Sequence, residues 1–169
     1  MSLCKFYVIL FCVFFCTLSY SQNTNKQIIA KRTDFGLLYF IYPQTLCKSK
    51  TINCEFDQTI RTWSDTIDIG VTIGTKEVFK VDSLKIECKS GKMYLKADHL
   101  YTEKRKNRWG CRFFVHVPIA EIAKFFSDMP PFVCFYGNGK DISFGIKQKL
   151  WRKIFENNKN LYFQIELNK

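Results

Sequence analysis

The sequence predicts a mainly β, α+β fold: an antiparallel, β-sandwich-like sheet system with one or two short helices, at about 118–129 and 147–157. Three observations predict it. "TIDIGVTIG" (66–74) alternates β-branched and polar residues without a break, which marks a half-buried strand. Short apolar runs bounded by turn residues recur along the chain, and apolar residues at helical spacing are confined to two stretches. Many short strands with few helices point to antiparallel layers; a curved sheet with a helix packed on it is the alternative to the sandwich.

The chain opens on "MSLCKFYVILFCVFFCTLSYSQN", whose apolar run from Phe6 to Leu18 follows Lys5. A membrane-spanning helix needs about 20 apolar residues. A secretory leader needs only roughly 7–15 behind a positive charge, with small residues at the cut. Ser19 and Ser21 supply those, so cleavage is expected after Ser21, making 1–21 a leader and 22–169 a single β-rich domain with no remaining transmembrane span. Phe11 and Phe15 precede Cys12 and Cys16, where lipoprotein processing wants a small residue, so lipid attachment fits poorly. An uncleaved signal anchor is the competing reading. The expected location is bacterial periplasm, cell envelope or exterior.

Within the domain, "GLLYFIYP" (36–43) reads as a covered strand, and "LCKSKTINCEF" (46–56) as a hairpin or tight loop closed by Cys47 and Cys54. "EVFKVDSLKIECKSGKMYLKA" (77–97) reads as strand, break and strand, turning at Ser90-Gly91. In "GCRFFVHV" (110–117), Cys111, Phe113, Val115 and Val117 project one way, and Arg112, Phe114 and His116 the other. Pro118 suits a first helical turn, and Ile119, Ile122, Ala123 and Phe126 then recur at helical spacing. "FVCFYG" and "DISFGIK" flank "NGK", a strong hairpin signal. "KQKLWRKIFENN" (147–158) suits a second helix with Leu150, Trp151, Ile154 and Phe155 on one side, and "LYFQIEL" (161–167) a final strand.

Export makes the five cysteines of the domain candidates for bridging. Cys47, Cys54, Cys88 and Cys111 are the disulfide candidates, and the odd number, with Cys134, leaves at least one thiol free or bonded to another chain. No C-x-x-C or H-x-x-x-H spacing suggests zinc, and no nucleotide-binding, nucleophile-elbow or metalloprotease motif occurs, so no metal or cofactor is expected. The two histidines limit imidazole chemistry to His99 and His116. Cys111 and His116 are an odd offset apart, which on a strand sends them to opposite faces. Asp65 and Asp68, three apart, likewise fail to converge as an acid–base pair.

Charge gives the clearest functional direction. Lys5 leaves with the leader, so 26 Lys and Arg become 25 against 15 Asp and Glu, a surplus of 10 that attracts anionic partners. "HLYTEKRKNRW" (99–109) interleaves Tyr101 and Trp109 with Lys104, Arg105, Lys106 and Arg108, and is expected as a loop that stacks on sugars while neutralising anions. "KQKLWRK" (147–153) is a second basic-aromatic element suited to an anionic lipid interface, though a core-facing helix also explains it. The expected function is non-catalytic binding of a macromolecule: an anionic polysaccharide, a lipid surface or an envelope protein, with nucleic acid a poorer fit. A small thiol-dependent hydrolase or redox protein is the alternative.

Overall fold

A computed structural model describes residues 28–125 and 129–167; the leader expected over 1–21 lies outside the described residues. The elements run β1 (Ile28–Thr33), β2 (Gly36–Lys48), β3 (Asn53–Arg61), β4 (Thr66–Thr75), β5 (Ser83–Cys88), β6 (Gly91–Lys96), β7 (Asp98–Arg105), β8 (Arg108–Pro118), α1 (Ile119–Phe125), β9 (Phe132–Gly137), β10 (Lys140–Gly145) and α2 (Gln148–Leu167). They form a six-stranded sheet, β1-β2-β3-β4-β8-β7, and a four-stranded sheet, β10-β9-β5-β6. Every strand pairing is antiparallel. The molecule is mainly β and sandwich-like, with two helices.

Alternation places the core. Ile67, Val71 and Ile73 of β4 and Cys111, Phe113, Val115 and Val117 of β8 turn one face of the larger sheet inward and are buried. Leu84, Val133 and Phe135 answer from the smaller sheet. Phe113 and Phe135 bridge the layers edge-to-face, with ring centroids 5.9 Å apart, a geometry contributing about 0.5–1.5 kcal/mol beyond burial. Asn138 and Gly139 both take positive φ (51° and 68°), the conformation of a tight two-residue hairpin turn between β9 and β10. Gly137 lies where a Cβ would stand 1.8 Å from the Lys80 carbonyl oxygen, so only glycine lets those two backbones approach.

Helix α2 packs on the inner side of β2 and β3. Trp151, Ile154, Asn158 and Leu161 recur at three- and four-residue steps and are buried. Asn158 is accommodated because its amide is bonded: Nδ2 donates to the Ile154 carbonyl at 2.9 Å, and Oδ1 accepts from Gln58 Nε2 at 3.4 Å. Tyr162, one turn on, donates its hydroxyl to Gln58 Oε1.

Several expectations need correction. Residues 161–167 are the last two turns of α2 and not a strand, because the buried stripe continues past Asn158 in helical register. Residues 99–109 are not a loop: β7 continues to Arg105 and β8 begins at Arg108, leaving a two-residue turn. The segment 77–82 forms no strand, and pairing begins at Ser83. The helix expected over 118–129 occupies Ile119–Phe125, and the expectation for 126–128 lies outside the described residues.

Candidate functional site

The basic segment singled out from the sequence forms the β7–β8 hairpin, and the register sorts its side chains. Tyr101 stands opposite Arg112, Glu103 opposite Gly110 and Arg105 opposite Arg108. These point away from the core, whereas Lys104, opposite Trp109, shares the face of Cys111 and Phe113. Tyr101 and Trp109 are therefore not one stacking platform. Tyr101 is exposed, and Trp109 is half-buried.

Arg108 does more than carry charge. Its Nη2 donates to the carbonyl oxygens of Ser49 and Lys50, each at 3.0 Å, and so ties the β7–β8 turn to the β2–β3 turn. The β2–β3 turn brings Lys48 and Lys50, both exposed, to the same end of the larger sheet. Six cations thus gather there: Lys48, Lys50, Lys104, Arg105, Lys106 and Arg108. Of the nearby acids, Glu103 is paired with Arg105, and Glu77 is held by Lys140 at 3.0 Å. Arg105 also donates to the Tyr101 hydroxyl at 3.4 Å. At the tip, Lys106 takes φ 53°, the left-handed region that disfavours any residue with a Cβ.

A second polar arrangement covers the outer face of the same sheet. Arg112 spans β4 to bond both Asp57 oxygens (2.8 and 3.1 Å) and Thr72 Oγ1 (2.9 Å), with its guanidinium carbon 5.5 Å from the Phe114 ring centroid. It lies over Gly70, whose missing side chain gives it room: a Cβ there would meet Arg112 Nη2 at 2.8 Å. Towards the opposite end, His116 Nδ1 is 2.7 Å from Asp68 Oδ1 and Nε2 is 3.2 Å from Asp98 Oδ2. Arg61 also pairs with Asp68. Partial burial by itself would lift the Asp68 carboxyl, but the hydrogen bonds from Arg61 and His116 outweigh it and hold it below the ordinary carboxylate range.

Thiol chemistry finds no pairing here. Cys111 points into the core while His116 points out, and both ring nitrogens of His116 face carboxylates. His99 bonds Thr102 Oγ1 at 2.9 Å. All five described cysteines are free. Cys47 and Cys54 are direct cross-strand partners. Burial, followed by the neighbouring Cys47 and Glu55, pushes the Cys54 thiol far up, so it stays protonated. Cys88 Sγ lies 2.9 Å from Ser90 Oγ at the end of the smaller sheet, remote in topology from Cys111 on β8. Asp65 and Asp68 do not converge: the Asp65 carbonyl accepts the Ile119 N–H, while Asp68 serves Arg61 and His116.

Sequence reasoning found the β7–β8 cations and missed Lys48 and Lys50. Their only signal is the pair of contacts from Arg108, 58 and 59 residues away in sequence. Among the described residues, no group of three or more His, Cys, Asp or Glu is arranged to hold a metal, and no helix is long and apolar enough to cross a membrane. No protein family, curated protein or solved structure matches the chain.

Proposed function

We propose that the protein is an exported, non-catalytic binding protein of the bacterial envelope or exterior, and that it holds an anionic polysaccharide along the basic end of its larger sheet. The observation that carries this reading is the Arg108 bridge, which makes one cationic surface of two turns. Glu103 pairs with Arg105 and so offsets one of the six charges, while Glu77 is engaged by Lys140, outside the set. Tyr101, exposed beside Arg105, offers a ring to a sugar face. The leader-like start of the chain supports delivery to a compartment where such polymers occur.

Retention on heparin resin tests the reading. A polymer neutralised by several cations releases counterions, so affinity falls linearly on a log–log scale with salt, by roughly 0.7–0.9 per contact on a nucleic-acid scale. Reversal of Lys104, Arg105 and Lys106 to Glu should advance elution strongly, and reversal of Lys48 and Lys50 should do so separately. Reversal of Lys147 and Lys149, which lie on α2 and just before it, should leave elution in place. Elution at one salt concentration for all four proteins would remove the basic end from the account. Stronger retention on DNA resin at matched salt would favour nucleic acid over polysaccharide.

A further inference from the structure

Among the described residues, Gln44 alone carries buried side-chain atoms without a hydrogen-bond partner: its amide nitrogen and oxygen both lack one. Buried side-chain polar atoms are paired in the large majority of cases. The backbone around Gln44 is irregular as well. Ile41 stands opposite Gln58 and Gln44 opposite Phe56, so Tyr42 and Pro43 together span the single residue Asp57. That is a β-bulge, a device that re-aims side chains and gathers next to functional sites. Pro43 suits it, having no N–H to offer the ladder. Gln44 shares the inner face of the sheet with its partner Phe56, which is buried, and so lies on the side covered by α2. There it lines a cleft of about 220 Å³ between β2 and the helix, which contributes Leu150, Lys153 and Ile154 at three- and four-residue steps.

We propose that this cleft binds a sugar acid, one pyranose ring bearing a carboxylate. An apolar cavity of about 150 Å³ holds a benzene ring, so a cleft of about 220 Å³ seats one six-membered ring with its substituents. The chemistry of the walls selects which ring. Among the described residues, Lys153 is the only charged one lining the cleft, which favours an anion and repels an ammonium-bearing guest. The Gln44 amide needs a partner that both donates and accepts, and every sugar hydroxyl does both. Its flexible side chain can turn toward such a guest while β2 stays in place. Pro43, Leu150 and Ile154 offer apolar surface to the C–H faces of the ring. A wholly apolar guest would leave Gln44 unbonded, and a nucleobase would find no aromatic ring among these residues to stack on. The cleft is on the inner side of β2, under α2, whereas the clustered cations sit at the β2–β3 and β7–β8 turns. Either reading can fail without the other.

The experiment is a titration of the purified protein with millimolar glucuronate at constant ionic strength, followed by amide NMR, with methyl glucoside and acetate as comparisons. The side-chain amide signals of Gln44 and the backbone signals of Thr45 and Lys153 should shift together and saturate. Methyl glucoside lacks the carboxylate and should bind at least about tenfold more weakly, and Lys153→Gln should remove that preference. Acetate lacks the hydroxyls and should leave Gln44 unmoved. Gln44→Leu should abolish the glucuronate shifts at Thr45 and Lys153 while unfolding at the same temperature or higher, because it takes away a group that had no partner. Wild-type protein whose Gln44 signals do not respond to glucuronate overturns the proposal, whatever the variants do, and so does a Gln44→Leu protein that binds as wild type. Methyl glucoside or acetate binding as tightly as glucuronate overturns the assignment of a sugar acid. Glucuronate shifts confined to residues 48–50 and 104–108 would place the contact at the basic end and remove the cleft from the account.

Discussion

Tyr162→Phe removes one oxygen from the interface between α2 and β3, and the structure says what that oxygen does. Its hydrogen is donated to Gln58 Oε1, and Gln58 and Asn158, at 1% and 0% exposure, have no water to turn to. Without the phenol, the Gln58 carbonyl is left with no donor from Tyr162 inside the protein, a loss of about 1–3 kcal/mol. A domain of this size shifts by about 2–4 °C per kcal/mol, so unfolding should come about 2–12 °C earlier. Urea unfolding followed by circular dichroism reads the same quantity as a fall in midpoint at constant slope. The penalty comes from stranded partners, so Gln58→Leu, Asn158→Leu and Tyr162→Phe together should be more stable than Tyr162→Phe alone. Alkali adds a second reading. Burial pushes the Tyr162 phenol far above its ordinary value. Up to about pH 10 it keeps its proton in both folded and unfolded chains; above that only the unfolded chain releases it, so stability falls as pH rises and the Phe variant should fall less steeply. A Tyr162→Phe protein within about 0.5 kcal/mol of wild type, with an unchanged alkaline limb, would refute the packing of residues 148–167 as one helix on β3.

Asp68 should govern part of the acid limb. Its carboxyl is depressed in the folded state, so its contribution is present above about pH 4 and lost as pH falls below that. Asp68→Asn should flatten the decline seen in acid unfolding. Lys106→Gly should relieve the left-handed backbone at the hairpin tip, raising stability by up to about 1 kcal/mol in urea unfolding while advancing elution from heparin. Cys47 and Cys54 are direct cross-strand partners whose thiols are free, so oxidation of the protein should join them and remove two hydrogens in intact mass relative to the reduced form. Cys54→Ser should abolish that difference and remove about 2–3 kcal/mol of oxidised-state stability.

The parts of the fold legible in the sequence are those where one face is apolar and the other is not. β4 and β8 announced themselves through Ile67 to Ile73 and Cys111 to Val117, and the Asn138-Gly139 turn named its own hairpin. β7 gave no such signal, because it is an edge strand whose faces are both polar: Thr102 and Lys104 on one side, Tyr101, Glu103 and Arg105 on the other. The end of α2 misled for a different reason. Asn157 and Asn158 interrupt the apolar stripe, and "LYFQIEL" favours a strand by local preference, whereas Gln58, donating to Asn158 and accepting from Tyr162 one turn on, engages both in helical register. The site was half legible. A run of cations in 104–108 shows in the text, but its union with Lys48 and Lys50 depends on β2, β3, β7 and β8 ending together, which only the sheet order brings about.

Amide NMR of the full domain during titration with a heparin oligosaccharide addresses that union most directly. The account predicts that signals of residues 48–50 and 104–108 move together along one binding curve, and that Arg108→Gln separates or weakens them. Movement confined to one turn, or no movement at either, would contradict it.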